Sequence, residues 1–231
     1  MAIELISFGA ASSLPGWSCG DMFSVPANPS ALADFVESHL SRTKADAWLF
    51  WNASHTPPDA ALVEQFLESP SDVWHAGLSL GTAGLPRSID FVSPTWMLNR
   101  DPDPSIEATS WRLSFEACLV RTEVFRQLGG PRREFRTLLG AGLEFGHRCI
   151  TRGALIRHVP ELAPTGLPAR EGMLPAEDEI EFLLQRFAGW QPYWALFRAA
   201  MTRHMSPLRA ARGMWYARRG RRQPNRAVYA R

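Results

Sequence analysis

Short runs of apolar residues alternate with segments of helical periodicity over most of the chain. Apolar runs that end at turn residues are typical of strands buried inside a sheet. Five such runs occupy residues 3–8, 47–51, 73–80, 113–120 and 154–159. Because helical segments separate these runs, the pattern predicts an α/β fold with a parallel sheet flanked by helices.

Helical periodicity follows each of the first two strands. Asn28 or Ser30 can cap a helix that ends near Thr43, because Asn and Ser side chains accept hydrogen bonds from the first turn of a helix. Asp59 starts a second helix, which runs through Leu67. The segment between the first strand and the first helix is rich in Ser, Gly and Pro and is predicted to be a loop.

Two more helices are predicted before residue 160. Thr122 caps a short helix that Gly129 and Gly130 terminate, and a longer helix covers residues 141–151. Residues 81–108 are interrupted by Pro and Gly, so we expect an irregular segment there around a strand at 89–92.

The last third of the chain is predicted to be helical. Three helices are expected there, over residues 176–188, 192–205 and 207–219. Ser206 and Pro207 fit the cap and the first position of the last helix. The predicted organisation is an α/β domain over residues 1–160, a Pro-rich linker over 161–175 and a basic helical appendage over 176–231.

Charge divides the chain into two unequal parts. The formal net charge is +2 over 231 residues, but no Asp or Glu follows Glu181, while eleven Arg lie within residues 186–231. This Arg-rich tail favours an anionic partner, which a membrane surface, a nucleic acid or an acidic protein would provide. Aromatic residues among the arginines favour a membrane surface, and the absence of a recognisable nucleic-acid module disfavours nucleic acid. The alternative is a solubilising arm or a docking segment for a protein partner.

Composition excludes several classes of protein. A hydrophobic fraction of 45% and a charged fraction of 21% exclude a disordered chain. Three cysteines are too few for a disulfide framework or a cysteine metal site, which favours a reducing compartment. No apolar run reaches the roughly 18 residues of a membrane span, so we expect a cytoplasmic protein or one held peripherally at the inner face of the membrane.

Residues 115–160 carry short motifs in a recognisable order. The motifs are Val120-Arg121, Val124-Phe125, Leu128-Gly129-Gly130, Glu134-Phe135 and Val159-Pro160, with Cys118, Glu144, Arg148 and Gly153 between them. Upstream, residues 45–62 read ADAWLFWNASHTPPDAAL, an apolar strand followed by a Pro-containing turn. In this order the motifs resemble those of family 2 glycosyltransferases, and the resemblance covers about residues 45–160.

The resemblance implies both a fold and a reaction. It implies a GT-A-like, mostly parallel mixed sheet, and transfer of a sugar from a nucleotide diphosphate sugar to a saccharide or lipid-linked acceptor in polysaccharide or envelope glycan biosynthesis. In the family a DxD motif at a strand end holds a divalent cation, Mn or Mg, that bridges the two phosphates of the donor. Here the motif positions are Asn52, Ala53 and Ser54, so we expect weak or absent metal dependence.

The resemblance also assigns roles on the predicted 141–151 helix. The family's acidic pair falls on Ala141 and Gly142, which leaves Glu144 as the acid of this segment. Glu144 is then the expected base toward the acceptor hydroxyl, and His147, the second expected catalytic residue, or Arg148 would face the diphosphate. The alternative is structural, because Glu144 and Arg148 are spaced to form an ion pair along one helix face.

Four residues are expected to bind the nucleotide sugar. Asn52, Ser54 and His55 follow a buried strand at the end where open α/β sheets bind ligands, and Arg148 would face the diphosphate. The alternative for the first three is an ordinary turn. Glu116 interrupts an apolar strand and is a further candidate for the cleft, although strands with one exposed face carry such residues routinely.

Two hypotheses follow from these features. The first is an active glycosyltransferase, which requires residues 48–55 to lie at the carboxyl end of a parallel sheet and close to Glu144. The second is an inactive GT-A-like scaffold that binds a partner transferase or a glycan at the membrane surface. The second is supported by the missing acids and by the short segment before Trp51, which contains one predicted strand and one predicted helix.

Overall fold

The computed structural model describes most of the chain. The described residues are 2–9, 20–55, 58–78, 103–163, 174–186, 189–201, 203, 205–217 and 228–230. The strand predicted at 89–92 lies outside them.

The described residues form one six-stranded sheet with seven α-helices. The strands are β1 (Ile3–Phe8), β2 (Met22–Val25), β3 (Ala47–Asn52), β4 (Val73–His75), β5 (Ala117–Arg121) and β6 (Ile156–His158). The helices are α1 (Pro29–His39), α2 (Ala60–Glu68), α3 (Thr122–Leu128), α4 (Leu138–Arg152), α5 (Ala176–Arg186), α6 (Gln191–Met201) and α7 (Pro207–Ala217). No helix of the described residues is long and apolar enough to cross a bilayer.

Five of the six strands run in the same direction. In the order β2-β1-β3-β5-β4-β6, β2 and β3 pair in parallel with β1, β6 pairs in parallel with β4, and β5 is antiparallel to both of its neighbours. The predicted α/β fold with a mostly parallel, mixed sheet and flanking helices is therefore confirmed.

The five strands of common direction end at one side of the sheet, which we call the carboxyl edge. Phe8 lies opposite Asn52 there, and His75 lies opposite His158. The reversed strand β5 begins at this edge with Ala117. Residues that follow β3 and residues that precede β5 are therefore brought to the same place.

Local signals explain where the helices begin. The Asn28 side chain accepts a hydrogen bond from Ala31 N at 2.8 Å, and the Asp59 side chain caps α2 in the same way at 3.0 Å. Helix α4 begins earlier than predicted, because Thr137 Oγ1 accepts from the amide of Gly140 at 3.0 Å.

Three local predictions were wrong. Thr122 does not cap α3; its hydroxyl donates to Ala45 O at 2.9 Å and so ties the start of the helix to β3. Residues 22–25 form the strand β2 rather than a loop, so two strands precede α1. The strands predicted over 73–80 and 113–120 are shorter, and span Val73–His75 and Ala117–Arg121.

The side chains of β3 divide the core into two layers. Trp48 and Phe50 belong to a cluster with residues of α1, α3 and α4, whereas Leu49 and Trp51 belong to a cluster with residues of α2. All four are fully buried, because successive side chains of a strand point to opposite faces and helices cover both faces here.

Helices α5, α6 and α7 pack around a smaller apolar cluster that includes Ile180 and Leu196. At the start of α5, buried Asp178 accepts hydrogen bonds from Arg136 N at 2.7 Å, Thr137 N at 3.0 Å and Thr137 Oγ1 at 2.6 Å. The amino end of α4 is therefore fixed by a carboxylate from α5.

Two more acids of α5 pair with arginines of α7. Buried Glu177 pairs with Arg212, and buried Glu179 pairs with Arg209. These contacts pair two arginines of the tail with buried carboxylates.

Candidate functional site

Residues 52–55 form a compact turn at the carboxyl edge. Asn52 Oδ1 accepts hydrogen bonds from Ser54 N at 3.0 Å and Ser54 Oγ at 2.8 Å. The backbone then joins the neighbouring strands, since Asn52 N donates to Glu116 O at 2.8 Å and Ala53 N donates to Phe8 O at 2.9 Å. The turn is thus held between the end of β1 and the start of β5.

His55 is the last residue of this turn, and it is buried. Its ring makes an edge contact with the ring of Trp51, whose Nε1 donates to His55 O at 3.3 Å. His55 Nε2 is buried and has no hydrogen-bond partner among the described residues, and it lies 3.9 Å from Glu116 Oε2. An imidazole and a carboxylate at this separation can receive a small group that bonds to both.

We call Asn52–His55 together with Glu116 the edge site. The Glu116 side chain is about 25% exposed, so the site opens to solvent through its carboxylate. Sequence reasoning singled out Glu116 as unusual but favoured the interpretation of an ordinary strand residue. The missing signal is the reversed direction of β5, which brings Glu116 to the ends of the parallel strands.

Two other histidines of the carboxyl edge are occupied by structural contacts. His75 Nε2 bonds to Ser110 O at 2.7 Å, and His158 Nε2 bonds to Pro104 O at 3.0 Å. Burial lowers the pKa of His75 to about 3, so its ring is neutral over the physiological range. These rings hold the segment before β5 against β4 and β6.

Glu144 and Arg148 lie on α4 and bind the connection between α3 and α4. The Arg148 guanidinium donates to Leu128 O at 2.7 Å, to Gly130 O at 2.8 Å and to Glu144 Oε2 at 3.1 Å. Glu144 Oε1 also lies 3.8 Å from Arg132 Nε. We call the Glu144–Arg148 pair with these two carbonyls the α4 clamp.

His147 lies beside the α4 clamp, between aromatic rings. Trp111 and Phe182 contact its ring edge-on, and the Arg186 guanidinium touches its nitrogens. Burial, followed by the positive charge of Arg186, lowers the pKa of His147 to about 3. At neutral pH this histidine is uncharged and has no extra proton to donate.

A cavity of about 210 Å³ beside His147 is lined by residues of both α4 and α5. Its charged lining residues are Arg132, Glu144, Arg148, Arg152 and Arg186. The lining is therefore strongly basic.

The structure places the predicted site residues in two groups. Asn52, Ser54 and His55 lie in the edge site, whereas Glu144, His147 and Arg148 lie at α4. Among the described residues no hydrogen bond, ion pair or ring contact joins one group to the other. The roles assigned to these six residues remain predictions.

The edge site has few ligands suited to a metal ion. In the part of the chain that the structure describes, no group of three or more His, Cys, Asp or Glu side chains could hold a metal ion. The edge site offers the Glu116 carboxylate and the His55 imidazole, together with neutral amide and hydroxyl groups.

Comparisons with known proteins find a likeness in structure but none in sequence. No protein-family model matches the chain, and no curated protein matches it. A solved structure that resembles it is the mannosyltransferase PcManGT from Pyrobaculum calidifontis in complex with GDP-Man and Mn2+. The identity is 13%, the TM-score is 0.46, and the match covers 96% of this chain and 76% of that chain. This likeness assigns no ligand to the present chain.

Proposed function

We propose that the protein transfers a sugar from a nucleotide diphosphate sugar to a saccharide or lipid-linked acceptor, and that the edge site performs the reaction. The observation that carries the proposal is the arrangement of Asn52–His55 and Glu116 at the joint end of parallel strands. There His55 Nε2 is buried, lies 3.9 Å from Glu116 Oε2 and has no hydrogen-bond partner in the part of the chain that the structure describes. The motif resemblance of residues 45–160 supplies the class of reaction. The pathway would be the assembly of a polysaccharide or envelope glycan.

The turn would hold the diphosphate without a carboxylate pair. Because Asn52 Oδ1 accepts both bonds from Ser54, the Nδ2 amide on the other side of the group can donate to a phosphate oxygen. The one hydroxyl proton of Ser54 is already donated to Asn52 Oδ1, so the Asn52 amide is the donor that this side-chain pair offers to phosphate. Neutral donors bind phosphate less strongly than a bridging cation does, so a weakly metal-dependent donor site is expected.

In this proposal Glu116 takes the place of Glu144 as the general base, because among the described residues no contact joins Glu144 to the edge site. The reaction therefore no longer requires Glu144 to lie close to residues 48–55. In the transfer, the acceptor hydroxyl oxygen attacks the anomeric carbon and gives its proton to Glu116, while the bond from that carbon to the diphosphate breaks. His55 would hold the carboxylate or the acceptor through Nε2. The leaving diphosphate takes the bonding electron pair and is held by the Asn52 turn.

Donor binding can be tested by calorimetry. The full chain is titrated with UDP-, GDP- and TDP-sugars, with and without Mn²⁺. We expect one class to bind, and Asn52→Ala to weaken that binding about tenfold, the effect of about 1.4 kcal/mol from one hydrogen bond to a charged group. Asp103→Ala is the matched control, because Asp103 Oδ1 accepts from Ser105 N and Oγ in the same turn pattern. Binding of none of these donors would contradict the proposal.

Measurements of kcat distinguish Glu116 from Glu144 as the general base. If Glu116 is the base, Glu116→Gln lowers kcat by roughly 10²–10⁴-fold and leaves donor affinity unchanged. Glu123→Gln, on the exposed face of α3, serves as the control. A loss of turnover in Glu144→Gln with normal turnover in Glu116→Gln would instead establish the role predicted for Glu144.

The second candidate function is an inactive scaffold for a partner transferase or a glycan. It is favoured by the α4 clamp, in which two charged motif residues, Glu144 and Arg148, are engaged in contacts within the protein. The double variant Asn52→Asp, Ser54→Asp distinguishes the two functions. A gain of Mn²⁺-dependent donor binding favours the enzyme, and no gain, together with no donor binding by the natural chain, favours the scaffold.

A further inference from the structure

Helix α6 is apolar on two opposite faces. Its inner face, which includes Ala195, Leu196 and Ala199, is buried against α5 and α7. Its outer face carries a stripe of large side chains that we call the α6 stripe: Trp190, Trp194, Phe197 and Met201. A second apolar face on a helix that is already packed is normally covered by another surface.

The α6 stripe is exposed and continuous. Trp190 and Met201 are 68% and 70% exposed, and Trp194 and Phe197 are each 49% exposed. The spacing of i, i+4, i+7 and i+11 places these residues on one side of the helix. Ring contacts join Trp190 to Trp194 at 6.2 Å and Trp194 to Phe197 at 5.7 Å, so the rings form one surface. Contiguous apolar surface of this kind marks an interaction site.

The positive charges around the α6 stripe favour an anionic partner. Arg198 is exposed on the same side of α6, and exposed Arg203 follows the helix. No Asp or Glu occurs after Glu181, and the acids at the start of α5 are buried. A second copy docked stripe to stripe would bring like charges together, whereas an anionic surface would neutralise them.

We propose that the α6 stripe inserts into the headgroup region of an anionic lipid membrane. Trp and Phe side chains prefer this interface, where their rings contact acyl chains while neighbouring arginines contact phosphate. The contact is made by α6 and not by the paired arginines of α7, since Arg209 and Arg212 are held by Glu179 and Glu177. The proposal does not depend on the proposed sugar transfer.

Vesicle sedimentation tests the contact. The full chain is mixed with vesicles of phosphatidylglycerol and phosphatidylcholine in equal parts, and separately with phosphatidylcholine alone. We expect binding to the first and at least about tenfold weaker binding to the second, decreasing as salt is added. Trp194→Asp, Phe197→Asp should abolish binding. Ile106→Asp is the matched control, because Ile106 is 52% exposed and lies outside the tail.

Other results would overturn the proposal. Circular dichroism and the thermal midpoint must show that the double variant is folded; a single Trp194→Ser variant, with a smaller but measurable loss of vesicle binding, is the second test. Unchanged vesicle binding in the folded double variant contradicts insertion of α6. Suppose that light scattering shows a dimer of the natural chain, that the double variant is a monomer, and that the natural chain does not bind vesicles. These results would identify a second copy of the chain as the partner of the α6 stripe. If the natural chain binds the sugar donor but does not bind vesicles, the membrane inference is wrong and the proposed sugar transfer is unaffected.

Discussion

The edge site and the α4 clamp each place a glutamate beside a basic side chain, but they differ in how many hydrogen bonds that basic side chain makes within the protein. In the α4 clamp, Arg148 makes three hydrogen bonds to other parts of the protein and Glu144 contacts two arginines. In the edge site, His55 Nε2 has no hydrogen-bond partner among the described residues and the nearest carboxylate oxygen is 3.9 Å away. A charged residue in a family motif is therefore better assigned a structural role than a ligand-binding role when other parts of the protein already bond to most of its polar atoms. The clamp should therefore matter most for stability, and the edge site for ligands.

The largest expected effect is that of Arg148→Met. The substitution leaves Glu144 buried without its helix partner and removes the donors to Leu128 O and Gly130 O, so the free energy of unfolding should fall by about 3–5 kcal/mol. Urea denaturation measures this loss. Arg157→Met is the matched control, since Arg157 and Glu107 are both about half exposed and their pair contributes less than about 1 kcal/mol. Equal losses in the two variants would show that the clamp is not a structural element.

The second effect concerns the fixed position of α4. A Cβ atom on Gly146 would lie 2.2 Å from Trp111 O, so Gly146→Ala must push the helix away from the segment before β5. We expect a loss of about 1–3 kcal/mol in the free energy of unfolding. Thr151→Ala, on the exposed side of the same helix, should change it by about 0.5 kcal/mol or less. If Gly146→Ala unfolds like the natural protein, α4 does not pack as closely as described.

The third effect is a pH dependence of stability. The pKa of His147 is lowered from 6.5 to about 3, so below about pH 6.5 the unfolded chain takes up a proton that the folded chain does not. Stability is therefore greatest above the unfolded value and is lost as the pH falls, by about 1.4 kcal/mol per pH unit for each such histidine. His75 adds a second proton of the same kind. In urea titrations between roughly pH 6 and pH 4, His147→Gln should lower the pH dependence of the free energy of unfolding by about 1.4 kcal/mol per pH unit, the contribution of one proton. An unchanged slope would mean that His147 is not held neutral.

The smallest effect on stability is expected at the edge site. Asn52→Ala removes two hydrogen bonds confined to a single turn, so the free energy of unfolding should change by about 1 kcal/mol or less. The same variant should show the loss of donor affinity described above. Denaturation and calorimetry on one preparation test both halves. A large loss of stability with unchanged donor binding would reverse the proposed contrast between the two regions.

Much of the fold could be predicted from local patterns. The strand at Ile3–Phe8 was predicted with its observed bounds, and Asn28 and Asp59 cap the helices that were predicted from them. These features depend on residues close in sequence. Strand β2 was missed because Met22–Val25 is short and partly exposed, so it lacks the apolar run of a buried strand.

Long-range features could not be predicted in the same way. The reversed direction of β5 is a property of the whole sheet, and nothing in the residues of the strand records it. The proximity of Glu116 to His55 follows from that direction. Thr122 shows the same limit, because a typical capping residue donates instead to a carbonyl 77 positions away in the chain.

The carboxylate of Asp178 at the head of α4 has a consequence for how the protein is made. Thr137 leaves the ribosome 41 residues before Asp178 does. At a synthesis rate of about 5–20 residues per second, the amino end of α4 waits roughly 2–8 s for that carboxylate. During that interval the amides of Arg136 and Thr137 must be satisfied by water, so the amino end of α4 is fixed only after the first turn of α5 has been synthesised.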